Sequence, residues 1–136
     1  MKDLKYLFAY TVPLAAYISF QSTGIFTFSL VFYAFLVIPL LDVISGETSD
    51  NLPQEDAAYK KTKWLFDLML YLNFPLVFGL LFLGLLNVYR HDYSPLEHVG
   101  LALSAGIFLA TNGINVAHEL GHRKAYINRF ISKCLY

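Results

Sequence analysis

At 136 residues, with 57% apolar, 17% aromatic and only 15% charged side chains, the chain is one domain at most and too apolar for a water-soluble one. Ten basic residues balance ten acidic ones, and no basic run interleaves with aromatics, so nucleic acid is not an expected partner. The single cysteine, Cys134, rules out an internal disulfide and a thiolate metal cluster.

No charged residue occurs between Lys5 and Asp42. As one helix those roughly 36 residues would measure about 54 Å, nearly twice the thickness of a bilayer core, so the stretch must fold back on itself. The break is expected at Gln21, Ser22, Thr23 and Gly24, giving spans over about 6–20 and 24–41. A signal peptide would need a small-residue cleavage site and a soluble mature chain, which the sequence does not offer, so the first span is expected to stay.

From Asp42 to Lys63 the chain carries Glu47, Asp50, Glu55 and Asp56 among Gly46, Asn51 and Pro53, the composition of a solvated connector. Two further uncharged runs then predict spans over about 66–89 and 97–117. Trp64 and Tyr89 bracket the third at interfacial depth. The expected architecture is an all-α membrane protein with four transmembrane helices in one domain over 1–136.

Lysine and arginine in short loops stay on the cytoplasmic side. Lys2 and Lys5 precede span one, Lys60, Lys61 and Lys63 separate spans two and three, and Arg123, Lys124, Arg129 and Lys133 follow span four. Only Arg90 falls on the other side, which predicts an integral, multi-pass protein with both termini of the chain cytoplasmic; the membrane is expected to be a bacterial inner membrane.

The segment that carries chemistry is Asn112 to Arg123, N-G-I-N-V-A-H-E-L-G-H-R, where the fourth span runs out into the cytoplasm. His118 and His122 are four residues apart, so on a helix both imidazoles share a face and can offer nitrogens to one metal or to neighbouring metals. Gly121 is expected to keep the face between them uncluttered. Counting back at α-helical spacing gives Asn115, Thr111, Phe108 and Ser104, a polar seam leading inward from the histidines. Asn115 is a candidate to orient His118, with Thr111 and Asn112 beside it near the cavity. The plainer reading of these three residues is hydrogen bonding to a neighbouring helix.

H-E-L-G-H also fits the H-E-x-x-H pattern of zinc metallopeptidases, in which the glutamate is a general base. The metzincin extension is absent, since Arg-Lys-Ala-Tyr-Ile-Asn-Arg follows His122. A membrane-embedded zinc peptidase and a non-catalytic membrane bundle both stay open on spacing alone.

The run Asn115-Val116-Ala117-His118-Glu119-Leu120-Gly121-His122-Arg123 resembles the first histidine box of the integral-membrane alkane 1-monooxygenases, relatives of the membrane fatty acid desaturases; Arg123 stands where that family usually has lysine. Pro39-Leu40-Leu41-Asp42, with Gly46-Glu47 and Asn51, is similar to the segment after the family's second transmembrane helix, although Asn51-Leu52-Pro53 replaces its usual Asn-Pro. The resemblance implies the first four helices of a six-helix fold and a pair of non-haem irons. His118 and His122 would be among their ligands. It further implies hydroxylation of the terminal methyl of an alkane with O2 and electrons from rubredoxin. The later boxes, E-H-x-x-G-H-H and H-x-x-H-H, do not occur here, so the 136-residue chain is expected to insert in a membrane without hydroxylating alkanes alone. His91 and His98 lie near the opposite end of span four and are read as solvated or interfacial. With a metal at the cytoplasmic end, an alkane tunnel must run along the helices, and the face of span two at Tyr33, Ala34 and Val37 is its expected lining.

Cysteines at 55 and 92, placed in turn in a Cys134→Ser background, test the orientation. Asp92→Cys should react with a membrane-impermeant maleimide on intact cells, and Glu55→Cys only after permeabilisation; the reverse pattern would invert the topology.

Overall fold

The computed structural model describes residues 8–45 and 64–136. The expectations that rest on the start of the first span, on the basic residues before it, on Lys60, Lys61 and Lys63, and on the connector over 46–63 lie outside them.

Five helices make up the described residues, with no strand among them. α1 is Thr11–Gln21, α2 runs over Gly24–Ile44 and on to Ser45, α3 is Trp64–Arg90, α4 is Pro95–Gly121 and α5 is Tyr126–Leu135. α2, α3 and α4 are long and apolar enough to cross a bilayer. Phe35, Val43, Ile44, Phe82 and Leu85 all face outward from the bundle, each more than 60% exposed. In water such surface would be a large penalty; in a bilayer it meets lipid of its own kind. This is an integral membrane protein.

The first of the four expected crossings is not met within the described residues. α1 has 11 residues, about 16 Å of helix and roughly half a hydrocarbon core. It ends because Ser22 and Thr23 are extended and Gly24 takes φ +62°, a left-handed conformation that would strain a residue bearing a Cβ. α1 instead packs inside the bundle through Ala15, Ala16, Ser19 and Phe20, against α3 and α4.

The end of the bundle away from the histidines is held by one carboxylate. Ser94 and Glu97 form a capping box at the start of α4, with the Ser94 N–H donating to Glu97 Oε2 at 2.7 Å. Glu97 Oε1 accepts the Gly24 N–H at 2.6 Å, so the same side chain also caps the start of α2. Two turns into α4 the helices nearly touch: a Cβ on Gly100 would lie 2.4 Å from Thr27 Oγ1 and 2.7 Å from the Phe28 ring. Ser104 Oγ donates to Thr27 O at 2.9 Å, the Leu30 N–H to Ser19 Oγ at 2.8 Å, and Asn87 Nδ2 to Phe20 O at 2.8 Å, which closes the end of α1.

Neither α2 nor α4 is a uniform α-helix. α2 starts as a 3₁₀ turn over Gly24–Phe28 and widens to π over Tyr33–Val37; α4 widens to π over Leu109–Ile114. α5 was not read from the sequence. It turns back over residues 122–125 and runs antiparallel to the end of α4, with Ser132 Oγ donating to Ala117 O at 2.7 Å.

Replacing Gly100 with alanine should force α2 and α4 apart, costing about 1–3 kcal/mol as overpacking does. Gly106→Ala, with nothing near its Cβ, should be neutral or stabilising by about 0.5–1 kcal/mol. Unfolding in mixed detergent micelles, titrated with dodecyl sulfate and followed by circular dichroism, separates the two; equal effects would remove the close crossing as a cause.

Candidate metal centre

His118 sits in the last turns of α4 and His122 at its C-cap, where φ −76° and ψ −10° end the helix. The helix therefore reaches Gly121. The two rings are 4.6 Å apart at 89°, and their Nε2 atoms are separated by 3.2 Å. Two imidazole nitrogens bound at about 2.0–2.1 Å to one ion, separated by this distance, subtend about 100° at the metal, between tetrahedral and octahedral values. The spacing suits a shared metal ion. Without metal, one Nε2–H donates to the other Nε2; a bound ion needs both lone pairs, which puts each ring's proton on Nδ1.

Both histidines are exposed, and so are Glu119, Asn115 and Thr111. The opposite face of the same turns is buried: Val116, Ala117 and Leu120 pack inward. This departs from the inward seam expected at α-helical spacing, and the π turn over Leu109–Ile114 is the reason. A π turn takes up about one more residue than an α turn. The buried stripe accordingly runs Ser104, Phe108, Asn112, Val116, Leu120 at steps of four, and Thr111 and Asn115 fall off it onto the histidine face.

The three polar candidates consequently do different things. Asn112, 8% exposed, donates through Nδ2 to Asn73 Oδ1 of α3 at 2.7 Å, which is the interhelical role. Thr111 Oγ1 lies 2.8 Å from Ile107 O and 3.0 Å from Asn112 Oδ1, so its one proton serves the turn in its own helix. Asn115 shares the exposed histidine face, and its side chain makes no hydrogen bond among the described residues. Gly121 does not clear the space between the histidines: a Cβ there would meet Ser132 Oγ at 3.1 Å, so it opens room for α5.

An ion network that spacing could not show fixes the box to α3. Arg123 pairs with Asp67 in the first turn of α3 and reaches Glu119 at 3.9 Å. On α5, Asn128 accepts from Tyr71 at 2.6 Å. Asp67, Asn73, Asn128 and Ser132 were all missed as site supports. Asn128, Ile131, Ser132 and Leu135, at helical spacing, were the available signal for a packed α5.

No group of three or more histidine, cysteine, aspartate or glutamate side chains converges on a metal position among the described residues. His91 and His98 each donate Nδ1–H to a carbonyl one turn back, Asn87 O at 3.2 Å and Ser94 O at 3.0 Å. Twenty residues of α4, about 30 Å, separate His98 from His118. Near His98, Phe20, Leu81, Gly84, Val88, Leu101 and Ala105 line an apolar cavity of about 230 Å³. Of the expected tunnel residues, Tyr33 and Ala34 are half-buried and Val37 is exposed; none borders this cavity, and the Tyr33 hydroxyl donates to Thr11 Oγ1 at 2.5 Å.

No family model matches the chain. It is 35% identical over 99 residues to an alkane 1-monooxygenase of Pseudomonas putida, covering 71% of this chain and 24% of that protein. An alkane 1-monooxygenase of Ectopseudomonas oleovorans is 35% identical over 106 residues, 76% of this chain and 25% of the relative. The xylene/toluene monooxygenase hydroxylase component of Pseudomonas putida is 30% identical over 138 aligned positions, 99% of this chain and 35% of the relative. The chain thus spans between a quarter and about a third of the length of these curated relatives.

Proposed function

We infer that this chain, which belongs to the alkane 1-monooxygenase family, is part of the membrane domain of a hydroxylase that oxidises the terminal methyl of an apolar hydrocarbon. The observation that carries the reading is the 3.2 Å approach of the His118 and His122 Nε2 atoms on one face of α4. The proposed metal is a pair of non-haem irons, with O2 as oxidant and rubredoxin as electron donor, as the resemblance of the Asn115–Arg123 run to a first histidine box implies; imidazole alone suits iron, zinc or copper. The irons, when bound, supply the activation of O2 and the oxidising power for the C–H bond.

The residues of this chain hold and aim. His118 and His122 would each give an Nε2 lone pair while keeping the proton on Nδ1. Leu120 and Ala117 behind them make the turn rigid, and the Arg123–Asp67 pair fastens it to α3. Glu119 lies 3.9 Å from Arg123 on the exposed side of the same turn. Remaining ligands would come from chain beyond these two histidines.

The relatives are named for alkanes and for xylene or toluene, hydrocarbons that carry a methyl group and lack a polar handle. Recognition therefore has to be by shape, along an apolar path between helices. The α2 face at Tyr33, Ala34 and Val37 is the proposed path, with the basic-residue count placing the metal end in the cytoplasm.

In a full-length protein containing this chain, His118→Ala or His122→Ala should cut octane hydroxylation by more than about 100-fold, the upper figure for losing a residue once removed from a metal. His91→Ala should leave it unchanged, and Ala34→Phe should shift products toward shorter alkanols. Gas chromatography of membranes incubated with octane and shorter alkanes reads all four. Full activity in His118→Ala with His122→Ala would end the ligand assignment, and an unaltered product profile in Ala34→Phe would move the path off α2.

A further inference from the structure

The direction in which the histidine pair points is a property of the π turn. Phe108 is fully buried, and ten residues later His118 is exposed on the far side of the same helix. With uniform α winding at about 100° per residue, the step from 108 to 118 leaves His118 some 80° from Phe108, on the flank of the buried face. The additional residue taken up over Leu109–Ile114 delays the rotation by about one residue's worth and carries His118 round to the side opposite Phe108.

A π turn is less favourable than the α winding on either side of it and persists only where something holds it. At its centre lies Asn112, buried at membrane depth, whose Nδ2 donates to Asn73 Oδ1 while Asn73 Nδ2 donates to Met69 O at 2.9 Å. The Tyr10 hydroxyl donates to the same Met69 carbonyl at 2.8 Å, tying the network to the start of α1. Wound as an α-helix, the segment would swing Asn112 away from Asn73 and leave Asn112 Nδ2 and Asn73 Oδ1 without each other in an apolar surround, a costly outcome.

We propose that Asn112 and Asn73 form a latch that keeps the Leu109–Ile114 turn wide and thereby sets the direction in which His118 and His122 present their Nε2 atoms. Both are positioning residues, and their role rests on the reading of the two histidines as metal ligands. Local spacing within Asn115–Gly121 does not depend on the latch, so breaking it should redirect the pair without dismantling it.

The test measures direction and affinity separately. The full chain carrying Cys134→Ser and Phe82→Cys, spin-labelled at the exposed position 82 of α3, is placed in lipid nanodiscs and titrated with Cu2+. Pulsed electron resonance then gives the copper-to-nitroxide distance. Cu2+ binding that is lost in His118→Ala identifies the pair as the copper site; wild-type binding insensitive to that change would sink the ligand reading and the latch with it. Asn112→Leu and Asn73→Leu should each move the main distance by several ångströms and keep Cu2+ affinity within about threefold, and the double variant should shift it no further than either single one. Asn87→Leu breaks a different interhelical hydrogen bond and should leave the distance where it was. Copper bound by the pair at the wild-type distance in Asn112→Leu, or an equal shift in Asn87→Leu, overturns the latch.

Discussion

A backbone or side-chain polar group inside a bilayer has no water to turn to, and this fold is organised by where those groups find partners. Ser104 reaches Thr27 O, Asn87 reaches Phe20 O, Ser19 takes the Leu30 N–H and Asn112 takes Asn73. Each bond joins two helices that apolar contact alone would leave free to slide, because lipid tails are as good a neighbour for leucine as another leucine is. Helix order and spacing follow from these few polar contacts, and the close passage of Gly100 beside Thr27 follows from the bond one turn further on.

The histidine end carries the same logic to the surface. His118 and His122 occupy the face of α4 that the bundle leaves open, while the face behind them is fixed by Ala117, Leu120 and α5. Two histidines on a rigid, outward-facing turn define a position and a direction. The chain belongs to the alkane 1-monooxygenase family and spans about a quarter of the length of those relatives.

Much of the fold was legible because bilayer thickness turns length into structure: uncharged runs over 24–41, 68–89 and 99–117 correspond to α2, α3 and α4. The first run is a poorer guide, because apolarity cannot distinguish a crossing helix from a short one packed in the bundle; the described residues show an 11-residue helix there, and the stop at Ser22 to Gly24 was legible only as a break. The histidine pair was legible since spacing of four survives any winding of the helix before it. Their surroundings were not, because the inward seam was counted at 3.6 residues per turn through a segment that winds more loosely, which put Thr111 and Asn115 where Asn112 and Val116 belong. Nothing local in Leu109–Ile114 announces that change; it depends on Asn73, 39 residues earlier in the chain.

Glu97 caps its own helix and also the first turn of α2, whose Gly24 is 73 residues upstream. A ribosome adding about 5–20 residues per second needs some 4–15 s to make that stretch. During the interval α2 is already synthesised and its Gly24 N–H has no carboxylate to meet. Biogenesis therefore has an order written into a single hydrogen bond: the second helix enters the membrane with an unfinished end and is completed only when the start of the fourth arrives beside it.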